Sequence, residues 1–169
     1  MKGKILFKEE QSFVGTWMFY LVIAITSLSM IGTAITILLN KTSEEGIIGL
    51  IIAGLVTAGL LMLFIYSKLY VSIDDKAIYY RYPPFVNKEK KLTKIDVSEV
   101  FVRKYNPIWE YGGWGYRVRP GKGKAMNVAG NQGLQLILAD GKKILLGTQK
   151  PGAISHAIKK LKENWKMDG

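Results

Sequence analysis

The most distinctive pattern in the chain is a pair of long apolar runs near the N-terminus, at residues 14–39 and 46–66. The second run has no charged residue, and a helix of about 21 residues with a rise of about 1.5 Å per residue spans about 31 Å, close to the hydrocarbon thickness of a bilayer. A buried helix of a soluble core, the alternative, rarely extends so far without a polar stripe. The pattern predicts a transmembrane hairpin over residues 14–67, with a polar turn at 40–45.

A cleaved signal peptide is the other interpretation of the first run, because lysines precede it. The run is about 26 residues long, whereas the apolar core of a signal peptide has roughly 7–15, and no small-residue cleavage pattern follows. Trp17 and Tyr20 lie at its start, as is typical of aromatic rings in the headgroup layer. Residues 1–13 are therefore expected to be a retained cytoplasmic segment.

The lysines that flank the apolar runs predict the orientation, because loops rich in Lys and Arg remain in the cytoplasm. Lys2, Lys4, Lys8, Lys68 and Lys76 lie outside the hairpin, and Lys41 lies in its turn. The sequence thus predicts a multi-pass protein of the cell membrane, with both termini and the C-terminal domain cytoplasmic.

The second apolar run also carries small residues at helical spacing. Gly49, Ala53 and Thr57 are four positions apart, and small residues at this spacing allow helix backbones to approach closely in lipid. The pattern favours a packing face, within the hairpin or between copies. Ordinary helix composition is the alternative, since glycine is common in membrane helices.

From residue 68 onward the pattern changes to short alternations of apolar and polar residues, which are typical of strands. Pro83 and Pro84 end the first hairpin, and Asp140-Gly141 is a strong turn signal. About seven strands are expected, at residues 69–73, 78–82, 91–105, 114–119, 125–129, 133–139 and 142–147. A last helix begins at Pro151, and its apolar residues form one stripe: Ile154, Ala157, Ile158, Leu161 and Trp165.

This order of elements resembles the bacterial pleckstrin-homology-domain membrane proteins, which have two N-terminal membrane helices. The resemblance is carried by Leu69–Arg81, by Gly133–Thr148 (GLQLILADGKKILLGT) and by the helix from Pro151. It implies a membrane protein with an α+β domain at 68–169, in which about seven antiparallel strands form a partly open barrel capped by the C-terminal helix. A six-stranded barrel or a split sheet with one helix would produce a similar pattern.

By analogy, the resemblance also implies binding of lipid headgroups or of a protein partner. The chain departs from the pattern of phosphoinositide-binding domains, which place basic residues around the first turn between strands. Here Ser72, Asp74 and Asp75 lie near that turn, with only Lys76. A phosphoinositide site is therefore not expected.

The charge of the chain is concentrated in its C-terminal part. The whole sequence has 24 Lys and Arg against 13 Asp and Glu, a formal net charge of +11 at pH 7, and the part from Lys68 onward carries the whole of this excess. There is no cysteine, so disulfides, thiolate metal sites and cysteine nucleophiles are excluded.

The densest candidate site is the segment from Tyr105 to Lys124, where aromatic and cationic residues alternate with glycines. Arginine forks bind phosphate oxygens at two points, and glycines let an anion approach backbone N–H groups. The segment is either a ligand or partner surface, or a solvated edge with aromatics that cover the end of the barrel. The candidates are Tyr105, Trp109, Tyr111, Trp114, Arg117, Arg119, Lys122 and Lys124.

A second cationic cluster lies about twenty residues beyond the hairpin. A lysine near an anionic leaflet contributes about 1 kcal/mol, so the cluster could orient a domain that the helices already hold at the membrane surface. A solvated loop is the alternative. The cluster consists of Lys88, Lys90, Lys91 and Lys94.

Signals for catalysis, metals and nucleic acid are weak. Ser155 and His156 are neighbours on a helix and point apart, so they do not form a nucleophile–base pair, whereas Glu110 and Asp140 could be paired in space. The glycines near Trp114 match neither a phosphate-binding loop nor a dinucleotide fingerprint. The cations are spread over several elements without a nucleic-acid motif. No enzyme activity, cofactor or metal is expected.

The sequence therefore favours a non-enzymatic, membrane-anchored binding or scaffold module. Its basic domain is expected to contact anionic lipid headgroups or a membrane protein partner. The alternative is a structural subunit of a membrane complex, assembled through the transmembrane hairpin with a partner or a second copy.

Overall fold

The computed structural model describes residues 3–40 and 44–166. The chain divides into two compact units, one of Met1–Gln11 with Lys68–Gly169 and the other of Ser12–Ser67. Lys68 is also the residue at which the C-terminal domain was predicted to begin. The N-terminal residues differ from expectation, because they join the C-terminal domain instead of forming a separate segment. Lys2 and residues 41–43 of the expected turn lie outside the described residues.

The second unit consists of two helices, α1 (Trp17–Asn40) and α2 (Glu44–Tyr66). Thr16 begins α1, because its hydroxyl oxygen accepts from the backbone N–H of Phe19. Both helices match the predicted runs to within three residues. Both are long and apolar enough to cross a membrane, and their most apolar stretches are not buried within the protein. That exposure does not fit the core helix of a soluble domain.

Three threonine side chains of α1 are hydrogen-bonded within the helix itself. Three threonine hydroxyl groups donate to carbonyl oxygens four residues earlier, at 2.8–2.9 Å. This internal bonding removes most of the cost of placing a hydroxyl group in an apolar environment. The threonines are Thr26, Thr33 and Thr36.

The first unit begins with a four-stranded sheet in the order β1-β2-β3-β4. The strands are β1 (Ile5–Ser12), β2 (Lys68–Asp74), β3 (Ala77–Tyr82) and β4 (Val86–Thr93). Lys68 contacts Glu10 at 3.0 Å, while Asp74 accepts from the backbone N–H of Gly3 at 2.8 Å. The beginning of β2 thus contacts the end of β1, and the end of β2 contacts the beginning of β1, so the two strands are antiparallel. The two helices are therefore an insertion between neighbouring strands.

The inner face of β1 is mostly polar and is bonded to a distant part of the domain. Its buried residues are Phe7, Glu9 and Gln11. The Glu9 carboxylate accepts from the Thr148 hydroxyl at 2.7 Å and from the backbone N–H of Gln149 at 2.9 Å. The Gln11 amide donates to the Gly147 carbonyl at 2.7 Å. These bonds make β1 an integral strand of the domain.

A second sheet has five strands in the order β5-β8-β9-β7-β6. The strands are β5 (Val97–Lys104), β6 (Gly115–Arg119), β7 (Gly123–Asn127), β8 (Gln132–Leu138) and β9 (Lys143–Gly147). The hairpins β6–β7 and β8–β9 are antiparallel, whereas β7 and β9 are parallel. A short helix, α3 (Pro107–Tyr111), follows β5.

Two expectations about the strands need correction. The segment 91–105 is not one strand, because Asp96 accepts from the backbone N–H and the hydroxyl group of Thr93 and holds a turn between β4 and β5. With β1 included, the described residues contain nine strands where about seven were expected. They form two sheets, of four and five strands, and no closed barrel.

The C-terminal helix α4 (Pro151–Trp165) contacts β2, β5 and β8. All five residues of the predicted apolar stripe are buried, which confirms this prediction. The Trp165 indole N–H donates to the Lys76 carbonyl at 3.1 Å and so bonds the end of α4 to the turn between β2 and β3. The hydrophobic core of the domain thus includes the inner face of α4.

Candidate functional site

The segment between β5 and β6, predicted as a loop, contains the helix α3. Asn106 caps this helix, because its side-chain oxygen accepts from the backbone N–H groups of Ile108 and Trp109 at 3.1 Å. Pro107 occupies the first helical turn, and Gly112 ends the helix in a left-handed conformation (φ 77°). This geometry determines which aromatic residues point inward.

An ion pair that the sequence did not reveal holds α3 against β5. The Arg103 guanidinium donates to both carboxylate oxygens of Glu110, at 2.8 and 3.2 Å, and to the Gln135 side-chain oxygen at 3.1 Å. The hydrogen bond from Arg103 lowers the pKa of Glu110 and, in return, raises the pKa of Arg103. Glu110 also accepts from the backbone N–H of Asn106 at 2.8 Å. The sequence signals for this arrangement were Asn106, a residue type that caps helices, and the carboxylate of Glu110 four positions later.

Two of the candidate aromatics belong to the core. Tyr105 and Tyr111 are buried with Ala125 and Leu145, so neither side chain is part of the exposed surface. The Tyr105 hydroxyl accepts from the Asn127 amide at 2.7 Å, and burial raises the pKa of Tyr105 to about 12. The capped turn of α3 directs Tyr111 onto the sheet.

Trp109 lies on the opposite side of α3 from Tyr111 and is 80% exposed, and Ile108 beside it is 58% exposed. Two arginines of β6 reach the same segment. The Arg119 guanidinium donates to the Trp109 carbonyl, and the Arg117 Nε donates to the Trp114 carbonyl at 3.0 Å. The Trp109 surface is defined here as Ile108, Trp109, Arg117 and Arg119.

The other candidates of this segment do not join the Trp109 surface. Trp114 is half-buried and donates its indole N–H to the Gly130 carbonyl at 2.9 Å. Lys124 is opposite Val118 in the β6–β7 register and therefore lies on the other face from Arg117. Lys122 lies in the β6–β7 turn, beside the Arg103–Glu110 pair.

The cationic cluster after the hairpin lies on and just after the edge strand β4. All four lysines are exposed, but Lys90 is opposite Tyr80 and Lys91 opposite Tyr79, so these two point to different faces. Charged side chains on an edge strand also prevent pairing with other chains. The arrangement does not form one patch of Lys88, Lys90, Lys91 and Lys94.

The small residues of α2 are divided between two environments. Ala53 and Thr57 are half-buried, whereas Gly49 is exposed and a side chain built there would meet no atom within 4 Å. The three residues do not share one packed face within the described hairpin.

The structure separates the residues considered for catalysis. Glu110 is paired with Arg103, and Asp140 contacts Lys142 at 2.6 Å, so the two carboxylates are not paired with each other. Ser155 and His156 are both exposed on α4. Within residues 3–40 and 44–166, no group of three or more His, Cys, Asp or Glu side chains is arranged to hold a metal ion.

No protein-family model matches the chain, and comparisons with curated proteins and with solved structures gave no match either. The resemblance to pleckstrin-homology membrane proteins therefore stays a prediction. Function has to be inferred from the residues themselves.

Proposed function

We propose that the protein is a non-enzymatic, membrane-anchored binding module. Helices α1 and α2 anchor it in the cell membrane, and its cytoplasmic domain contacts anionic lipid headgroups through the Trp109 surface. The observation that carries this proposal is the exposed side chain of Trp109, a residue whose backbone carbonyl accepts a hydrogen bond from the Arg119 guanidinium.

The anchoring role is supported by the exposed apolar surface of both helices. The pairing of β1 with β2 supports placement of both hairpin ends on one side, because strands of one sheet cannot lie on opposite sides of a bilayer. Lysines outside the hairpin favour the cytoplasmic side. The two sheets and the C-terminal helix α4 are compatible with a pleckstrin-homology-like domain, a likeness that remains part of the proposal.

The chemistry of the Trp109 surface favours a lipid interface. Tryptophan and isoleucine side chains gain free energy at the boundary between headgroups and acyl chains, and adjacent cations attract anionic lipids. Each arginine uses part of its five N–H donors on a backbone carbonyl, so the guanidinium groups are oriented while further donors face solvent. Oriented guanidinium groups suit phosphate oxygens.

The test is depth-dependent quenching of Trp109 fluorescence. Full-length protein would be reconstituted in nanodiscs of phosphatidylcholine alone or with phosphatidylglycerol, using lipids brominated near the headgroup. The Trp109 signal is obtained as the difference between the wild-type protein and Trp109→Phe. We expect stronger quenching with phosphatidylglycerol, weakened by salt and by Arg117→Gln with Arg119→Gln.

The matched control is Lys159→Gln with Lys160→Gln, which removes two exposed cations from α4. Equal quenching in both lipid compositions, or equal loss in the control, would contradict the lipid contact. Specific capture of a membrane protein by the wild-type chain, lost in the arginine variant without any lipid dependence, would assign the surface to a protein partner instead.

A structural subunit of a membrane complex is the second candidate function. The open space at Gly49 favours it, because another helix could approach the α2 backbone there. Gly49→Leu would then reduce co-purification of a partner or of a second, differently tagged copy. Ala53→Leu, at a half-buried position, reports packing within the hairpin. Unchanged assembly with Gly49→Leu would exclude this role for Gly49.

A further inference from the structure

The domain contains a cavity of about 270 Å³ that none of the functions above uses. It lies on the face of the five-stranded sheet that α3 covers, where Phe101, Gln135 and Ile137 form its floor. The Arg103–Glu110 pair lines the cavity as well. The lining is therefore partly apolar and partly charged.

Two lysines meet at this cavity because of one glycine. Lys143 is opposite Ile137 in the β8–β9 register and lies on the same face of the sheet. Gly123 has φ +86°, and a side chain built there would overlap the Lys143 backbone. Only glycine permits this approach, which places the neighbouring Lys122 beside Lys143.

The charge of the cavity favours a dianion. Arg103 and Glu110 neutralise one another through two hydrogen bonds, while neither Lys122 nor Lys143 forms an ion pair with a described residue. The lining therefore has a formal charge of +2. Lys122 also lowers the pKa of Glu110, although less than Arg103 does, which agrees with its position beside the carboxylate.

We propose that the cavity between Lys122 and Lys143 binds a phosphate monoester. A phosphate monoester carries about −1.5 to −2 charges at pH 7 and matches the two lysines, whereas a carboxylate or a phosphodiester carries a single charge. The volume lies just below the roughly 300–1,000 Å³ of drug-sized pockets, which suits a small phosphorylated group. The apolar floor can accommodate the carbon atoms that carry the phosphate.

The first experiment is calorimetric titration of full-length protein in phosphatidylcholine nanodiscs with glycerol 3-phosphate. Dimethyl phosphate, a monoanionic diester, is the matched ligand. We expect glycerol 3-phosphate to bind at least about tenfold more tightly, and Lys122→Gln and Lys143→Gln each to weaken it about tenfold, because a hydrogen bond to a charged group commonly contributes that much. Lys159→Gln with Lys160→Gln should leave binding unchanged.

Equal binding of monoester and diester, or equal weakening in the α4 control, would overturn the proposal. Gly123→Ala retains every charge but displaces the lysines, so it should also weaken binding in a protein whose circular dichroism is unchanged. If that variant does not fold, the lysine variants decide the question alone.

A second arm identifies the source of the phosphate. In nanodiscs that contain phosphatidic acid, a lipid phosphate monoester, glycerol 3-phosphate should bind more weakly if the cavity accepts a lipid headgroup. Unchanged affinity would assign the site to a soluble phosphorylated molecule. The quenching test of the Trp109 surface uses phosphatidylglycerol, a phosphodiester, so failure of one proposal can be distinguished from failure of the other.

Discussion

Glu9 and Thr148 are bonded to each other at 2.7 Å although 139 residues separate them in the chain. Glu9 belongs to the first strand and Thr148 to the segment that leads into the last helix. The contact therefore joins two parts of the domain that the helical hairpin separates along the chain. It shows that the folding unit is discontinuous in sequence.

The first prediction follows from the antiparallel pairing of β1 and β2. Joining Gln11 to Lys68 through a short Asn-Gly linker should produce a folded domain without the hairpin, since such turns connect antiparallel neighbours. Lys68–Gly169 alone should aggregate or unfold, because it lacks β1. Size-exclusion chromatography and dispersion of amide NMR signals would compare the two. A fragment as well folded as the linked chain would contradict the role of β1.

Removing the buried carboxylate of β1 should destabilise the domain. Glu9 is 5% exposed, and Glu9→Ala loses two hydrogen bonds, which predicts a loss of about 1–3 kcal/mol in the free energy of unfolding. Glu10→Ala, at an exposed position on the same strand, is the control and should have little effect. Thermal unfolding followed by circular dichroism measures both.

Asp74 should make stability depend on pH in the acid range. Burial alone would raise its pKa, but backbone N–H donors from Lys76, Gly3 and Ala77 lower it below the ordinary value of 3.8. The unfolded state then binds more protons than the folded state at acid pH. The contribution of Asp74 to the free energy of unfolding is therefore complete above about pH 4 and is lost as the pH falls through the folded pKa. Asp74→Asn should flatten this dependence in acid denaturation curves. Glu163→Gln, an exposed carboxylate on α4, should leave the curve unchanged.

The Arg103–Glu110 pair should stabilise α3 locally. Both side chains are about one-quarter exposed, so a coupling energy of about 1 kcal/mol is expected from a double-mutant cycle with Arg103→Met and Glu110→Gln. Faster amide hydrogen exchange should be confined to α3 and its neighbours. Additive effects of the two substitutions would show that the pair is not coupled.

Core and surface aromatics should respond in opposite ways. Tyr105→Phe loses the hydrogen bond to Asn127, which predicts a loss of about 1 kcal/mol in stability and no change in lipid contact. Trp109→Ala should leave stability nearly unchanged and weaken binding of the linked, hairpin-free domain to phosphatidylglycerol vesicles. Vesicle sedimentation and thermal unfolding of the same variants separate the two roles.

The helices and most of the second sheet could be predicted from sequence because their patterns are local and strong. The apolar runs, the Asp140-Gly141 turn and the stripe of α4 each need only neighbouring residues to be recognised. The first strand escaped recognition for a physical reason. Two of its three buried positions are Glu9 and Gln11. The Glu9 carboxylate and the Gln11 NH2 group find their hydrogen-bond partners only in residues far away in the chain.

The sequence pointed to the segment that contains the candidate site, but it did not show which side chains of that segment are exposed. Neither Tyr105 nor Tyr111 differs in sequence pattern from Trp109, and their burial depends on packing against Ala125 and Leu145. Helix α3 determines which of these aromatic side chains is exposed. Its start was indicated in the sequence by Asn106-Pro107, a signal for a helix start. The pocket beside Lys122 depends on the close approach of β7 to β9, which no local pattern encodes.

The insertion of a helical hairpin between paired strands has a consequence for biosynthesis. The ribosome releases β1 before either helix and β2 only after both, so the sheet cannot close until the hairpin is complete. If both helices span a bilayer, as proposed, a failure of the second helix to cross would leave the two strands on opposite sides of the membrane and the sheet incomplete. On the proposed topology, folding of the domain would therefore depend on insertion of both helices.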